Sequence, residues 1–374
     1  MKILSLTNCP LDPNLGSGKT VLSYTQGLRE LGHTIDVADP KNYESFSKFR
    51  RAKKFRQAWG SWNFAKEKLR TQQYDLIEFY GDEFWLTTWY LSKLTKRSLL
   101  VAHTNGLELI AAIRESADKT HSNYLYDLFY QQTHARFSYI AFASANAFVS
   151  LCELDRQHVL KLGLYPAHRT AVVEPGLDKE YLSLPFIPKK EKRVSFMGSW
   201  ISRKGVKNII TVMSKVLAQN LDLHFDVYGT GGSQDIVLAR FPINLHSRIH
   251  VYPRLSKEEI ANNLSKSSVF FFPSQYEGFG IALAEAMACS CAVVTTPTGF
   301  GADLNHGQEA IVCNFNDIEA MEYGIKRLLQ EHDFRLKIAQ QGWQRVRSLT
   351  WEANIQKLSE TYEEWVKEHQ KMYH

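Results

Sequence analysis

The chain has 374 residues, 44% of them hydrophobic and 22% charged. At roughly 100–200 residues per domain this is two or three folded domains, and the composition excludes wholesale disorder. The net charge of +6 is uneven: residues 41–70 hold ten Lys/Arg against two Asp/Glu, which leaves the remainder at −2, so a general nucleic-acid binder is not expected.

No run reaches the roughly 18 apolar residues of a bilayer span. No leader-like stretch follows Met1. Five scattered cysteines (Cys9, Cys152, Cys289, Cys291, Cys313) form no Cys-x-x-Cys pair. A disulfide framework or structural zinc is therefore not expected, and a reducing cytoplasm is the expected compartment. On the same ground the N-L-S at Asn263 does not read as a glycosylation site.

Along the chain, Lys2–Thr7 reads as a strand before a Pro/Gly/Asn loop. Thr20–Leu31 has helical spacing and stops at Gly32. Strand-like runs follow at His33–Ala38, Leu76–Tyr80, Leu99–His103, Ala147–Leu151 and Ala171–Glu174, with helical patterns between them. Alternation of this kind predicts a parallel sheet with helices on both faces. At Ser183–Arg193 two prolines and a charge run predict a linker. The alternation then restarts: Val194–Gly198, Val206–Ala218, Leu223–Tyr228, Ile249–Tyr252, Val269–Pro273, Ile281–Ala288 and Ala292–Thr295. The expectation is two doubly wound α/β domains, 1–182 and 194–350, joined by a linker at 183–193. The helical residues 351–374 are expected to cross back onto the first domain. Ligands of such sheets sit beyond the carboxyl ends of the strands, so the residues just after strands are the candidates.

The first of these loops is N-L-G-S-G-K-T, Asn14–Thr20. A P-loop needs glycine where Pro13 stands, and a dinucleotide fingerprint needs glycine where Val21 stands. What remains is Gly16 and Gly18 at a strand-to-helix turn. They are either a plain tight turn or a place where backbone N–H groups face an anion or hydroxyl. After the strand ending at Gly198 comes S-R-K-G, with Arg203 and Lys204 before a helix. A guanidinium fork and an ammonium suit a diphosphate, although two loop cations are commonly just solvated. The most specific string is P-S-Q-Y-E-G-F-G-I-A-L-A-E-A-M-A, Pro273–Ala288. Glu277 lies in its Gly-containing loop. Glu285 lies on the helix among small apolar neighbours, where a carboxylate needs donors such as sugar hydroxyls.

These residues resemble the retaining glycosyltransferases of family 4, which have the GT-B fold, two Rossmann-like α/β domains facing across a cleft. The match is Glu-Gly-Phe-Gly followed by Glu, seven residues lying between Glu277 and Glu285. It extends to the G-x-x-x-x-R-K-G of Gly198–Gly205, to V-Y-G-T-G-G at Val227–Gly232, to E-P-G-L-D at Glu174–Asp178, to Thr298–Leu304 and to the G-H-T-I-D-V segment after the first helix. The resemblance implies that Arg203 and Lys204 hold a donor diphosphate, Glu285 the ribose and Glu277 the transferred sugar. The Phe279, Gly280 and Ile281 backbone would meet that sugar, and His103 would face it, although a histidine just after a strand, taken alone, is more often a structural one. Arg254 and Leu255 would contact the base through their backbone, with Gly198 and Gly229 in the glycine loops. Gly16 and Gly18 depart from the family's adjacent pair.

No Asp-x-Asp occurs, so no metal is expected. The implied co-substrate is a nucleoside-diphosphate sugar, UDP favoured over GDP or ADP, and the acceptor a hydroxyl of lipid-linked or polysaccharide kind. The rival readings are a non-catalytic nucleotide-sugar-binding module and a nucleotide-sugar epimerase on the same fold. In residues 41–70, Phe46, Phe49, Phe55, Trp59 and Trp62 interleave with Lys48, Arg50, Arg51, Lys53, Lys54 and Arg56. One reading is a helix resting on anionic lipid at the inner face of the membrane. The other is a solvated helix with some core aromatics, because steps of three residues slip about 60° on a helix.

Overall fold

A computed structural model of the protein describes residues 1–13, 15–44, 52–107, 124–188 and 191–372, with the backbone alone for 124–132. Asn14, Phe46, Lys48, Phe49, Arg50 and Arg51 lie outside the described residues. The chain forms two compact units, Met1–Gly176 with Trp351–His374, and Leu177–Thr350.

In the first unit the elements run β1 (Lys2–Thr7), α1 (Gly16–Glu30), β2 (Thr34–Ala38), α2 (Pro40–Tyr43), α3 (Lys53–Thr71), β3 (Leu76–Tyr80), α4 (Trp85–Leu94), β4 (Leu99–His103), α5 (Tyr124–Ala143), β5 (Ala147–Ser150), α6 (Glu153–Lys161) and β6 (Thr170–Val172). The strands form one parallel sheet in the order β2-β1-β3-β4-β5-β6. Ile3 pairs with Ile35 on one side and Leu76 on the other. β3, β4 and β5 are buried along their whole length. That is why they read as unbroken apolar runs rather than alternating ones.

The second unit runs α7 (Lys179–Leu182), β7 (Arg193–Met197), α8 (Val206–Gln219), β8 (His224–Tyr228), α9 (Gln234–Leu238), β9 (Ile249–Tyr252), α10 (Lys257–Leu264), β10 (Val269–Phe272), α11 (Ile281–Ala288), β11 (Ala292–Thr295), β12 (Ile311–Val312), α12 (Ile318–Gln330) and α13 (His332–Arg345). Its parallel sheet has the order β12-β11-β10-β7-β8-β9. β12 has only two residues at the sheet edge, too few to show as a run in the sequence.

Two boundaries differ from the sequence expectation. Residues 177–182 belong to the second unit, because Leu177 N donates to Leu349 O at 2.8 Å and Tyr181 is buried there. The described part of the expected linker is packed rather than free. Trp343 Nε1 donates to Leu184 O at 3.1 Å, Phe186 meets the Trp343 ring at 6.1 Å, and Ile187 N donates to Ser290 Oγ at 3.2 Å. Prolines and charges mark the stretch as non-helical, but its backbone and the Phe186 ring still find partners, while Ile187 stays exposed.

The last helix, α14 (Trp351–Lys371), completes the first unit. Trp351 lies edge-on to Tyr24 at 5.7 Å, His33 Nε2 bonds Ser359 Oγ at 2.7 Å, and Trp365 Nε1 donates to His168 O at 2.9 Å. Its buried positions Ile355, Leu358, Tyr362, Trp365, Val366 and His369 follow the helical period of one face.

Candidate functional site

In the second sheet the chain order reverses between β7 and β10. Ligands of open α/β sheets sit at such a switch point, outside the carboxyl ends of the strands. Two loops leave there, residues 198–205 after β7 and residues 273–280 after β10, and they are fastened together. Gln275 N donates to Arg203 O at 2.8 Å. Lys204 Nζ donates to Glu277 Oε1 at 2.6 Å and lies 5.4 Å from the centre of the Phe272 ring. The loop after β11 joins them: Glu277 N donates to Thr298 Oγ1 at 2.9 Å, and Phe300 N to Phe279 O at 2.7 Å.

The turn into α8 depends on Gly205. Its φ is +72°, and a Cβ there would lie 2.0 Å from Pro273 O. Only glycine tolerates both the left-handed backbone and that approach. It thereby lets the Arg203–Lys204 loop lie flat against the end of β10.

Electrostatically the site is open to an anion. α8 and α11 start at this edge from Gly205 and Gly280, with no side-chain cap and no acid in the first turn. α10, by contrast, has the Ser256–Glu259 capping box and α12 an Asp317 cap. An uncapped helix start presents unpaired N–H groups and the positive end of the helix dipole. With Arg203 and Lys204 beside it, this edge gathers donors and positive charge against one carboxylate, Glu277.

Glu285 lies on α11, one turn further in. Its charge is the neighbour that adds most, after burial, to raising the Tyr181 phenol, and it supports the raised Lys257 ammonium after Asp178. Lys257 Nζ itself donates to Asp178 Oδ2 at 2.9 Å. Gly198 and Gly229 follow β7 and β8, and Gly198 N donates to Tyr228 O at 2.9 Å. Arg254 is exposed and Leu255 partly so in the loop after β9. Gly280 and Phe279 are buried, and Ile281 opens α11. Spacing alone did not reveal Gln275, whose amide donates to Asn316 Oδ1 at 2.7 Å, nor Asn208, which reaches the same oxygen at 3.1 Å. Both contacts join residues far apart in the chain.

Two expectations in the first unit change. Gly16 opens α1, but Gly18 sits inside its first turn, where a Cβ would meet Pro10 O at 2.5 Å and Asp12 N at 2.8 Å. Gly18 is therefore required for close packing of α1 on the preceding loop. His103, expected to face a sugar, is fully buried. Its Nε2 bonds the Tyr362 hydroxyl and stands 3.3 Å from Glu78 Oε2. As the last residue of β4 it turns its ring to the side covered by α14, which makes it an interior residue rather than one open to a ligand.

Among the described residues no group of three or more His, Cys, Asp or Glu is placed to hold a metal ion. No described helix is long and apolar enough to cross a membrane.

Two family models match, "Glycosyltransferase Family 4" over residues 16–181 and "Glycosyl transferases group 1" over residues 181–345. An uncharacterized glycosyltransferase of Methanocaldococcus jannaschii is 26% identical over 198 residues, 53% of this chain and 54% of that protein. The chain thus spans about half the length of the curated relatives it matches. Among solved structures, the sucrose-phosphate synthase of Thermosynechococcus elongatus superposes with a TM-score of 0.75 at 17% identity, covering 98% of this chain and 99% of that one. The Anabaena protein Alr3699/HepE, solved in complex with UDP, gives 0.67 at 16% identity, covering 97% and 100%. These structural likenesses are of fold.

Proposed function

Because this chain belongs to glycosyltransferase family 4, with the GT-B fold, we propose that it moves a sugar from a nucleoside diphosphate to a hydroxyl acceptor, with retained anomeric configuration and without a metal ion. The observation that carries this is the convergence, across the β7/β10 switch point, of Lys204, Glu277 and two uncapped helix starts. The diphosphate would lie against Arg203, Lys204 and those helix starts. Glu277 would accept hydrogen bonds from hydroxyls of the transferred sugar, and Glu285 from the ribose. We favour a UDP-sugar over a GDP- or ADP-sugar, and UDP is the nucleotide in the HepE structure.

In the transfer, the acceptor oxygen forms a bond to the anomeric carbon while the bond from that carbon to the diphosphate oxygen breaks. The acceptor proton passes to the departing diphosphate, so the products are a glycoside and a nucleoside diphosphate. Charge grows on the leaving oxygens, and preorganised donors aimed there lower the barrier. In this reading Glu277 binds the sugar rather than attacking it, so the route is a front-face one in which the leaving phosphate serves as the base, in place of the carboxylate pair of a retaining hydrolase. Lys204 and Glu277, paired at rest, would each turn part of their hydrogen bonding to the substrate.

The test is calorimetric binding of UDP together with UDP release from a panel of UDP-sugars. Arg203→Ala and Lys204→Ala should each lower UDP release at least tenfold, with EDTA leaving the native protein unaffected. Near-normal turnover in both variants would refute the assignment. A protein that binds donor and releases no nucleotide would be a binding module instead. We also place α3 against an anionic lipid surface.

A further inference from the structure

The loops after β7 and β10 are fastened to a third point besides each other, the loop after β12. Gln275 and Asn208 are each only 3% exposed, and buried carboxamides are as a rule hydrogen-bonded. Both turn to the same atom. Gln275 Nε2 donates to Asn316 Oδ1 at 2.7 Å, and Asn208 Nδ2 donates to it at 3.1 Å. A carboxamide oxygen has two lone pairs, so this one oxygen takes both donors. It joins the loop after β10 and the first turn of α8 to the loop after β12, through partners 41 and 108 residues away in the chain.

Asn316 is itself held. Its φ is +60°, one of three positive values outside glycine among the described residues, and asparagine is among the few side chains that adopt this region. Its carbonyl accepts from Ile318 N at 3.0 Å, and Asp317 beside it caps α12, accepting from Ala320 N at 3.0 Å. α12 packs on α8, and Lys215 pairs with Glu322 across them at 3.4 Å. The shared oxygen thus rests on a rigid base, the start of a capped helix.

At its other end the tie reaches a cation. Gln275 N donates to Arg203 O at 2.8 Å. Gln275 is therefore held by Asn316 through its side chain and holds Arg203 through its backbone. Asn208 stands in the first turn of α8, the helix whose uncapped start lies beside Arg203 and Lys204. One oxygen is the common reference for the cation loop and the helix start.

We propose that Asn316 is a positioning residue for the transfer: through Gln275 and Asn208 it fixes the aim of Arg203, Lys204 and the α8 start at the leaving diphosphate, and it governs turnover rather than donor affinity. This rests on the transferase reading. In that reading base and ribose are held by other segments, the loop after β9 and α11, so donor binding survives loss of the tie. The charge that grows on the leaving oxygens is met only by donors already aimed there, and a misplacement of about 1 Å can cost about 100-fold in rate.

Asn316→Gly isolates the effect, because glycine keeps the left-handed backbone at no steric cost and removes only the acceptor. Gln275→Met removes one donor at similar volume. Nucleotide release from a panel of UDP-, GDP- and ADP-sugars finds the donor that the native protein turns over fastest, and that donor gives kcat and KM for each variant. Asn316→Gly and Gln275→Met should each lower kcat at least fivefold, with KM within threefold of native. The double variant should be no slower than the slower single one, because both cut the same tie. A loss of stability alone would leave the kcat of the folded fraction unchanged. Melting curves set an assay temperature at which the variants are folded, and Gln275→Met carries the test if Asn316→Gly melts below it. A loss in kcat under fivefold, a raised KM at unchanged kcat, or multiplying losses in the double variant would each overturn the positioning role and leave the donor site standing. A native protein that turns over none of the panel removes the transferase reading, and this proposal with it.

Discussion

Glu83 shows how a single side chain records its surroundings. Its carboxyl is pushed up to about 7, first by burial and then by the Asp82 charge, against the Asn8 hydrogen bond and Lys54. An unfolded glutamate titrates near 4.3. Between about 4.3 and 7 the folded protein therefore holds a proton that the unfolded chain has released, and stability falls as pH rises through that window. Below it both states are protonated and the penalty vanishes; above it the penalty is complete. Glu83→Gln removes this titration. It should gain on the native protein as pH rises from about 4 to 8, by up to about 3 kcal/mol. Urea unfolding at the two ends of that range measures the gap, and a gap that stays flat or widens toward acid contradicts the assignment. Nothing in the local sequence G-D-E-F foretells this, because Asn8 lies 75 residues away. Glu277 is the converse case. Its motif makes it visible, while its partner Lys204, 73 residues distant, is visible only because it has a motif of its own.

Elements were legible where burial is complete. β3, β4 and β11 coincide with apolar runs because parallel strands covered on both faces have no polar alternation. α3 was harder, since its aromatic steps fit no single face. The structure explains the mixture. α3 buries small residues, Ala58, Gly60, Ser61 and Ala65, and leaves Phe55 and Trp59 more than half exposed. Trp62 turns inward to Tyr90 at 5.3 Å. Part of the basic charge is already matched, Lys54 by Asp82 and Arg56 by Glu44, while Lys53 is exposed. Exposed aromatics beside cations are the composition of an interfacial surface. In flotation with vesicles containing phosphatidylserine, the native chain should rise with the lipid, and a Phe55→Ser/Trp59→Ser variant should bind at least threefold less. Equal flotation of the two, or none on anionic vesicles, removes α3 from the membrane.

At the scale of the whole molecule, the chain builds most of one unit, then all of another, and returns to finish the first with α14. The return is held by a polar core as well as an apolar one. The Tyr362 hydroxyl donates to Glu78 Oε2 and bonds His103 Nε2, and all three side chains are buried. Burial alone would raise the Glu78 carboxyl. The hydrogen bond and charge of His103, then the Tyr362 hydroxyl, overcome burial and hold it below its ordinary range. A residue 284 positions from Glu78 thus adds to what His103 does in holding its state, and the resemblance that set His103 before a sugar does not reveal this partner, because the helix that covers it is the last in the chain. Tyr362→Phe keeps the ring and deletes the bridge, leaving a buried carboxylate short of a donor, at a cost of about 1–3 kcal/mol. Because a depressed carboxyl contributes stability above its unfolded pKa and loses it as acid protonates the folded state, the deficit should be largest at neutral pH. It should narrow as pH is taken below about 4.3. Urea unfolding of the two proteins across that range decides it; a deficit independent of pH would mean that the hydroxyl is not what holds Glu78 ionised.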